Sequence, residues 1–272
     1  MKLLLLDERY PRELLGGFEV VTAPQEDVVA VLTLPEHPVG PELCGRLPAL
    51  RVVGTASVGF DHIAAPDGVR VVSVPDYCTE EVADHTLALI YALLRGVVAF
   101  QSLPWDAKAA GPLRTLRGLW VGIVGLGRIG AAVASRVRAL GAEVLAHDIR
   151  PVDGGVPLDE LLRAADIVSL HVPLDATTRG LVGREEIAAM KPGALLVNTA
   201  RGRVLDLDAV LGALRTGHLG GAALDVLPIE PPPARPVAPN LIVTPHAAYY
   251  SPESAERALR LCVERVREAL VD

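Results

Sequence analysis

The sequence lacks the features that mark several large classes of protein. Its 272 residues contain three cysteines, Cys44, Cys78 and Cys262, without metal or redox spacing. We therefore expect buried, reduced thiols and no metal site. No apolar run approaches the ~18 residues needed to span a bilayer, and the apolar start is too short for a secretory signal. We predict a cytoplasmic protein with no membrane partner.

Lysine and side-chain amides are also scarce. The net charge is −7, only three residues are lysines, and no basic stripe is present, which argues against nucleic acid as a partner. Asparagine and glutamine occur twice each, whereas proline occurs 22 times. Few thermolabile amides and stiff loops favour a thermophilic source, although a GC-rich genome produces the same bias.

Half of the residues are apolar, and they occur in short runs that alternate with helix-like segments. This rhythm predicts an α/β protein with parallel strands buried on both faces. The predicted strands are Leu3–Leu6, Val28–Leu34, Leu50–Ala56, Val69–Val74, Leu119–Val124, Glu143–His147, Asp166–His171, Ala194–Thr199, Ala222–Leu224 and Leu241–Val243. The predicted helices are Glu80–Val98, Arg128–Leu140, Leu158–Ala164, Arg184–Met190, Leu207–Thr216 and Pro252–Leu270.

A polar segment with several prolines, QSLPWDAKAAGPLRTLRG, lies between the two sets of strands and is predicted to connect two domains. The six later strands make a full doubly wound sheet of the Rossmann type over residues 99–249. We predict that residues 1–98 and 250–272 form a smaller domain, because the last helix can cross back to the first strands.

The loop GLGRIG, Gly125–Gly130, follows a predicted strand and opens a predicted helix, as in dinucleotide-binding folds. Gly125 allows a tight turn, Gly127 lets the backbone approach a pyrophosphate, and Gly130 lets the helix pack on the sheet. The free N–H groups of the helix start, at Arg128 and Ile129, favour an anion. The alternative is a glycine-rich turn used only for packing.

Asp148 ends the next predicted strand, 18 residues after the last glycine of the loop. A carboxylate there accepts hydrogen bonds from the adenosine ribose and repels a 2′-phosphate, which favours NAD over NADP. Arg150, two residues later, weakens that preference, and the alternative for Asp148 is a solvated acid in a loop.

Three charged residues follow predicted buried strands of the second half: Arg201 in NTARGR, Glu230 in DVLPIEPPP and His246 in TPHAA. In an open α/β sheet, ligands bind beyond the carboxyl ends of the strands, so topology brings all three to one crevice. An imidazole beside a carboxylate can move a proton, and a guanidinium can hold a carboxylate or polarise a carbonyl.

Several motifs, in this order, resemble the D-isomer-specific 2-hydroxyacid dehydrogenases: VPDYCTEEVADHTLAL, GIVGLGRIG, MKPGALLVNTARGRVLD, ALDVLPIEPPP and TPHAAYYSPES. The resemblance implies a flavodoxin-like substrate domain beside the Rossmann domain, and usually a homodimer. It implies that Arg201 binds the substrate carboxylate and carbonyl. His246 would be the general acid and base, and Glu230 would hold it and favour imidazolium.

The resemblance also implies further contacts. Backbone N–H groups of Ser57, Val58 and Gly59 would bind the substrate carboxylate. Tyr77 would contact the substrate, although an aromatic plug at a domain edge is an equal alternative. The other cofactor contacts would come from Thr199, Asp225, His171 and Pro173.

Two functions follow from these motifs. The first is an NAD-dependent oxidoreductase that interconverts a small D-2-hydroxy acid and its 2-oxo acid, as in phosphoglycerate dehydrogenases and glyoxylate or hydroxypyruvate reductases. The second is an NAD(H)-gated interaction protein, because GFDHI and VPDYCTEEVADHT also resemble the C-terminal binding proteins. The complete Arg201, Glu230 and His246 set favours the enzyme.

Overall fold

The computed structural model describes residues 1–271 and divides into two compact units. The first unit contains Met1–Cys78 and the chain from Tyr250 onward, and the second contains Thr79–Tyr249. Each unit has one parallel sheet with interleaved helices, which confirms the predicted α/β class. Within residues 1–271 no helix is long and apolar enough to cross a membrane, and no three or more His, Cys, Asp or Glu side chains gather as metal ligands.

The first unit has a five-stranded sheet in the order β2-β1-β3-β4-β5, the flavodoxin-like order that the resemblance implied. Its strands are β1 (Lys2–Leu5), β2 (Glu19–Val21), β3 (Val28–Thr33), β4 (Val52–Thr55) and β5 (Arg70–Val72), and its helices are α1 (Pro41–Gly45) and α7 (Pro252–Val271). Helix α7 packs so closely on β4 that a Cβ at Gly54 would lie 2.3 Å from Val266.

The second unit has a six-stranded sheet in the order β11-β10-β9-β8-β6-β7. The strands are β6 (Trp120–Val124), β7 (Glu143–His147), β8 (Ile167–Leu170), β9 (Ala194–Asn198), β10 (Leu219–Leu224) and β11 (Leu241–Val243). The helices are α2 (Thr79–Leu94), α3 (Arg128–Ala139), α4 (Leu158–Ala164), α5 (Arg184–Ala189) and α6 (Leu207–Thr216). The strand order reverses between β6 and β8, where doubly wound sheets bind their ligands.

Helix α2 corrects the predicted division at residue 98, because it belongs to the second unit. Its buried side chains pack in one core with Val121, Val133 and Leu195 of that unit's sheet and helix α3. The polar connector lies after α2 in sequence, and this position suggested the wrong boundary. The helix also ends at Leu94 rather than near Val98, because Gly96 takes a left-handed φ of 62°.

Candidate active site

The glycine loop between β6 and α3 contains two glycines that close contacts within the protein explain, and a third, Gly127, that no such contact explains. Gly125 has a φ of 91°, and a Cβ there would lie 2.7 Å from the carbonyl oxygen of His171. A Cβ at Gly130 would lie 2.0 Å from the Gly125 carbonyl oxygen. Gly127 has an ordinary φ of −73° and open space where its Cβ would be. A ligand that occupies the open space at Gly127 would explain why this position has no side chain. The loop therefore fits a dinucleotide pyrophosphate.

Asp148 follows β7 and is bound to this loop. Its carboxylate accepts the Leu126 N–H at 2.9 Å, and its other oxygen accepts the backbone N–H and the Nε–H of Arg150 at 2.9 and 3.2 Å. The Arg150 guanidinium outweighs desolvation and holds the pKa of Asp148 below its ordinary value. The structure therefore places an ionised acid beside the glycine loop.

The remaining predicted cofactor residues also follow strands of the second sheet, at the carboxyl ends of those strands. Arg128 and Ile129 form the first turn of α3. His171 follows β8, and its Nε2 is 2.9 Å from the Ser169 hydroxyl. Desolvation lowers the pKa of His171 to about 4, so the ring is neutral near pH 7. Pro173 is exposed, and Thr199 hydrogen-bonds to Thr86 of α2 at 3.0 Å.

The three candidate catalytic residues follow β9, β10 and β11, which are neighbours in the sheet. Glu230 and His246 are in contact, with Oε2 2.6 Å from Nδ1. The second Glu230 oxygen accepts the Leu227 N–H, also at 2.6 Å. Burial raises the pKa of Glu230, but the hydrogen bond and charge of His246 outweigh it, so the net pKa is lower than usual. The Nδ1 contact leaves Nε2 as the ring nitrogen for proton exchange.

Arg201 lies in a loop that buried Asn198 shapes from within. The Asn198 amide donates to the Arg201 carbonyl at 2.9 Å and accepts the Ala200 N–H at 3.0 Å. A Cβ at Gly202 would lie 2.0 Å from the Leu227 carbonyl carbon. The Arg201 loop therefore touches the segment that leads into Glu230, and only glycine permits this approach.

Asp225 has more partners than the sequence indicated. Predicted as a cofactor contact, it also accepts hydrogen bonds from the Thr244 hydroxyl at 2.6 Å and from the N–H groups of Ala247 and Ala248 at 2.9 and 3.0 Å. Because Asp225 follows a buried strand directly, in AALD, the sequence could have indicated that its carboxylate binds nearby backbone N–H groups. The neighbouring His85 of α2 carried no such signal and was not predicted.

The predicted substrate residues lie in the first unit. The Ser57 hydroxyl donates to the Gly59 carbonyl at 2.7 Å and lies 2.8 Å from the Thr55 hydroxyl, which fixes the loop after β4 around Val58. Tyr77 is buried, and its carbonyl accepts the Arg257 Nε–H at 2.8 Å. Their role in substrate binding stays a prediction.

Comparison with known proteins identifies the family. Residues 85–248 match the model of the D-isomer specific 2-hydroxyacid dehydrogenase NAD binding domain. A glycerate dehydrogenase of Methylorubrum extorquens is 35% identical over 271 residues, covering 93% of this chain and 85% of the relative. A glyoxylate reductase of Korarchaeum cryptofilum is 38% identical over 270 residues, covering 91% and 81%.

Solved structures agree with these sequence matches. A D-lactate dehydrogenase from Aquifex aeolicus, complexed with NAD and lactic acid, has a TM-score of 0.85 and 30% identity. The comparison covers 99% of this chain and 95% of that one. The matched domain contains both the glycine loop and the Glu230–His246 pair. The chain belongs to the D-isomer specific 2-hydroxyacid dehydrogenases.

Proposed function

We propose that this protein is an NAD-dependent oxidoreductase that interconverts a small D-2-hydroxy acid and its 2-oxo acid. The observation that carries the proposal is the 2.6 Å contact between Glu230 and His246. This contact lies beyond the carboxyl ends of the strands, in the sheet that also carries the glycine loop. An imidazole supported by an ionised carboxylate is suited to exchange a proton with an alcohol or carbonyl oxygen.

Each residue of the site has a distinct task in this proposal. The Arg201 guanidinium binds the substrate carboxylate and polarises the carbonyl. His246 donates a proton from Nε2 to the carbonyl oxygen during reduction and removes it in the reverse direction. Glu230 stabilises the imidazolium form. A bound nicotinamide supplies or accepts the hydride. Arg201 and protonated His246 thus place positive charge where negative charge develops.

The nicotinamide cofactor is proposed to be NAD rather than NADP. The pyrophosphate would be held at Gly127 and the first turn of α3, and the ionised Asp148 would accept ribose hydroxyl groups. The same charge repels a 2′-phosphate. Arg150 is bonded to Asp148, so less of its charge is available to a phosphate. The related acyclic imino acid reductase Bsp5, 25% identical, was solved with NADPH, so the family's fold accommodates both cofactors.

The substrate is proposed to be a small 2-oxo acid such as glyoxylate, hydroxypyruvate, pyruvate or 3-phosphohydroxypyruvate. The names of the glycerate dehydrogenase and glyoxylate reductase relatives favour the first two. In this proposal the first unit is the substrate domain. The backbone N–H groups at Ser57–Gly59 contribute to binding of the carboxylate, and Tyr77 contributes to the substrate pocket.

A homodimer is part of the proposal. A hollow of about 530 Å³ in the second unit has a mixed polar and apolar lining that includes Leu93, Val98, Ser102, Leu103 and Asn240. Trp105, two residues beyond Leu103, is fully exposed. A protruding indole and a hollow on one surface can pair across a two-fold axis. Trp105→Asp should therefore convert a dimer to a monomer in light scattering, and a monomeric wild type would contradict the pairing.

The test of the function is NADH oxidation against these four 2-oxo acids, with NADPH for comparison. We expect turnover on at least one acid, and a loss of about 10²- to 10⁴-fold in His246→Ala with NADH binding retained. His218→Ala is the matched control, because His218 bonds the Ile187 carbonyl at the opposite end of β10. Near-wild-type turnover in His246→Ala would refute the assignment. Tight NADH binding without turnover would favour the interaction protein.

A further inference from the structure

The segment that carries His246 is held by a hydrogen-bond network centred on Asp225. The Asp225 carbonyl accepts the His246 N–H at 2.8 Å, and the Asp225 carboxylate accepts the Ala247 and Ala248 N–H groups. The carboxylate is almost fully buried, with 1% of the side chain exposed. Because a buried carboxylate is costly without donors, these bonds fix the segment firmly.

His246 needs such support because its backbone is in the left-handed region, with a φ of 52°. A residue with a side chain rarely adopts this region, and the conformation persists where the surrounding contacts determine it. The three N–H groups bound by Asp225 begin at His246 itself. The conformation of the candidate catalytic residue therefore depends on the position of Asp225.

His85 of helix α2 completes this network through Thr244. The Thr244 hydroxyl donates its single hydrogen to Asp225 Oδ1 at 2.6 Å. His85 Nε2 lies 3.2 Å from the same hydroxyl oxygen and 3.6 Å from Asp225 Oδ1. Since the hydroxyl hydrogen is already used, His85 Nε2 must be the donor. The bonds run in one direction, from His85 to Thr244 to Asp225.

We propose that His85 and Thr244 are positioning residues for the proposed acid and base His246. His85 acts as a donor from protonated Nε2 and does not exchange a proton with substrate. It connects α2 to the segment after β11, and through Asp225 it keeps the His246 backbone in its left-handed conformation. The inference depends on the proposed function only for its kinetic consequences.

The kinetic test compares variants that remove a hydrogen bond with variants that keep it. Thr244→Val and His85→Leu remove the hydroxyl and the donor, whereas Thr244→Ser and His85→Gln retain them. We expect the first pair to lower kcat about 10- to 100-fold through misplacement of His246, with a smaller change in KM, and the second pair to restore most of it. His218→Leu is the control that removes a histidine bond elsewhere in the unit. Unchanged kcat in both Thr244→Val and His85→Leu would overturn the proposal.

A second measurement does not need turnover. Long-range proton–nitrogen spectra of protein labelled with ¹⁵N-histidine should show His85 protonated at Nε2, and Thr244→Val should shift the His246 resonances while His218→Leu leaves them in place. An unprotonated Nε2 on His85 would contradict the network even if the enzyme is active. If the protein has no turnover but His85 is protonated at Nε2 as expected, the proposed function is wrong and the hydrogen-bond network is still supported.

Discussion

Among single residues, Glu230 illustrates how burial and partnership oppose each other. Burial alone raises the pKa of its carboxyl group, but His246 and the Leu227 N–H outweigh that effect. The carboxylate is therefore ionised near pH 7, and it loses its charge only as the pH falls through a pKa below the ordinary 4.5. The support that Glu230 gives to imidazolium is lost in the same acidic range.

Glu230→Gln removes this charge and keeps the shape of the side chain. We expect kcat for 2-oxo acid reduction to fall about 10²-fold, because imidazolium loses its stabilising carboxylate. Glu185→Gln, at an exposed residue of α5, is the control. An unchanged kcat in Glu230→Gln would contradict the role.

His171 should make the protein less stable in mild acid. The unfolded chain takes up a proton near the ordinary pKa of 6.5, whereas the folded protein does so only near 4. Proton uptake therefore favours the unfolded state between these two pKa values. The free energy of unfolding should fall by up to about 3 kcal/mol as the pH is lowered from 6.5 to 4. Urea unfolding of His171→Gln should show a smaller loss over this window. Parallel pH dependences of the two proteins would contradict the shift.

Residues that follow strands were predictable, and residues that join distant elements were not. Arg201, Glu230 and His246 each come after a buried run, and parallel strands align their carboxyl ends by topology alone. The contacts of His85 with Thr244 and Asp225 depend on where α2 packs, and His85 lies 140 residues before Asp225 in the chain. The left-handed backbone of His246 is set by those contacts, so sequence pattern contained no sign of it.

At the scale of elements, the glycine loop allows a matched comparison. Gly127→Ala should leave the melting temperature unchanged, because its Cβ enters open space, and it should weaken NADH binding measured by fluorescence titration. Gly130→Ala should lower the melting temperature, because its Cβ would lie 2.0 Å from the Gly125 carbonyl oxygen. Equal NADH affinity in Gly127→Ala and wild type would remove the reason for assigning that space to a ligand.

Most elements were predicted closely, and two short ones in the first unit were missed. Strands β7 and β11 and helices α4 and α6 have the predicted bounds. Strand β2 has three partly exposed residues at a sheet edge, and α1 has five residues that begin at Pro41. Neither is long enough to show a repeat. The end of α2 was misplaced because apolar Val97 and Val98 continue its composition beyond the Gly96 cap.

For the whole molecule, binding of the cofactor should be visible in thermal unfolding. The glycine loop belongs to the second unit, Thr79–Tyr249, so NADH bound at this loop stabilises that unit. NADH at about 100 times its Kd should stabilise it by about 2.7 kcal/mol. Thermal melts followed by far-ultraviolet circular dichroism should shift upward with NADH, and Gly127→Ala should shift less at the same concentration. A melt that NADH does not move would contradict cofactor binding by this unit.

The first unit is built from both ends of the chain, and this has a consequence for its biosynthesis. A ribosome releases Met1–Cys78 early but must translate the 171 residues of Thr79–Tyr249 before it reaches α7. At 5–20 residues per second the delay is about 10 to 30 s. Until then, the face of β4 that packs on Val266 has no cover, and the nascent sheet exposes apolar surface. The second unit should therefore complete its folding before the first unit does. Chaperones that bind nascent chains should stay longest on the amino-terminal strands.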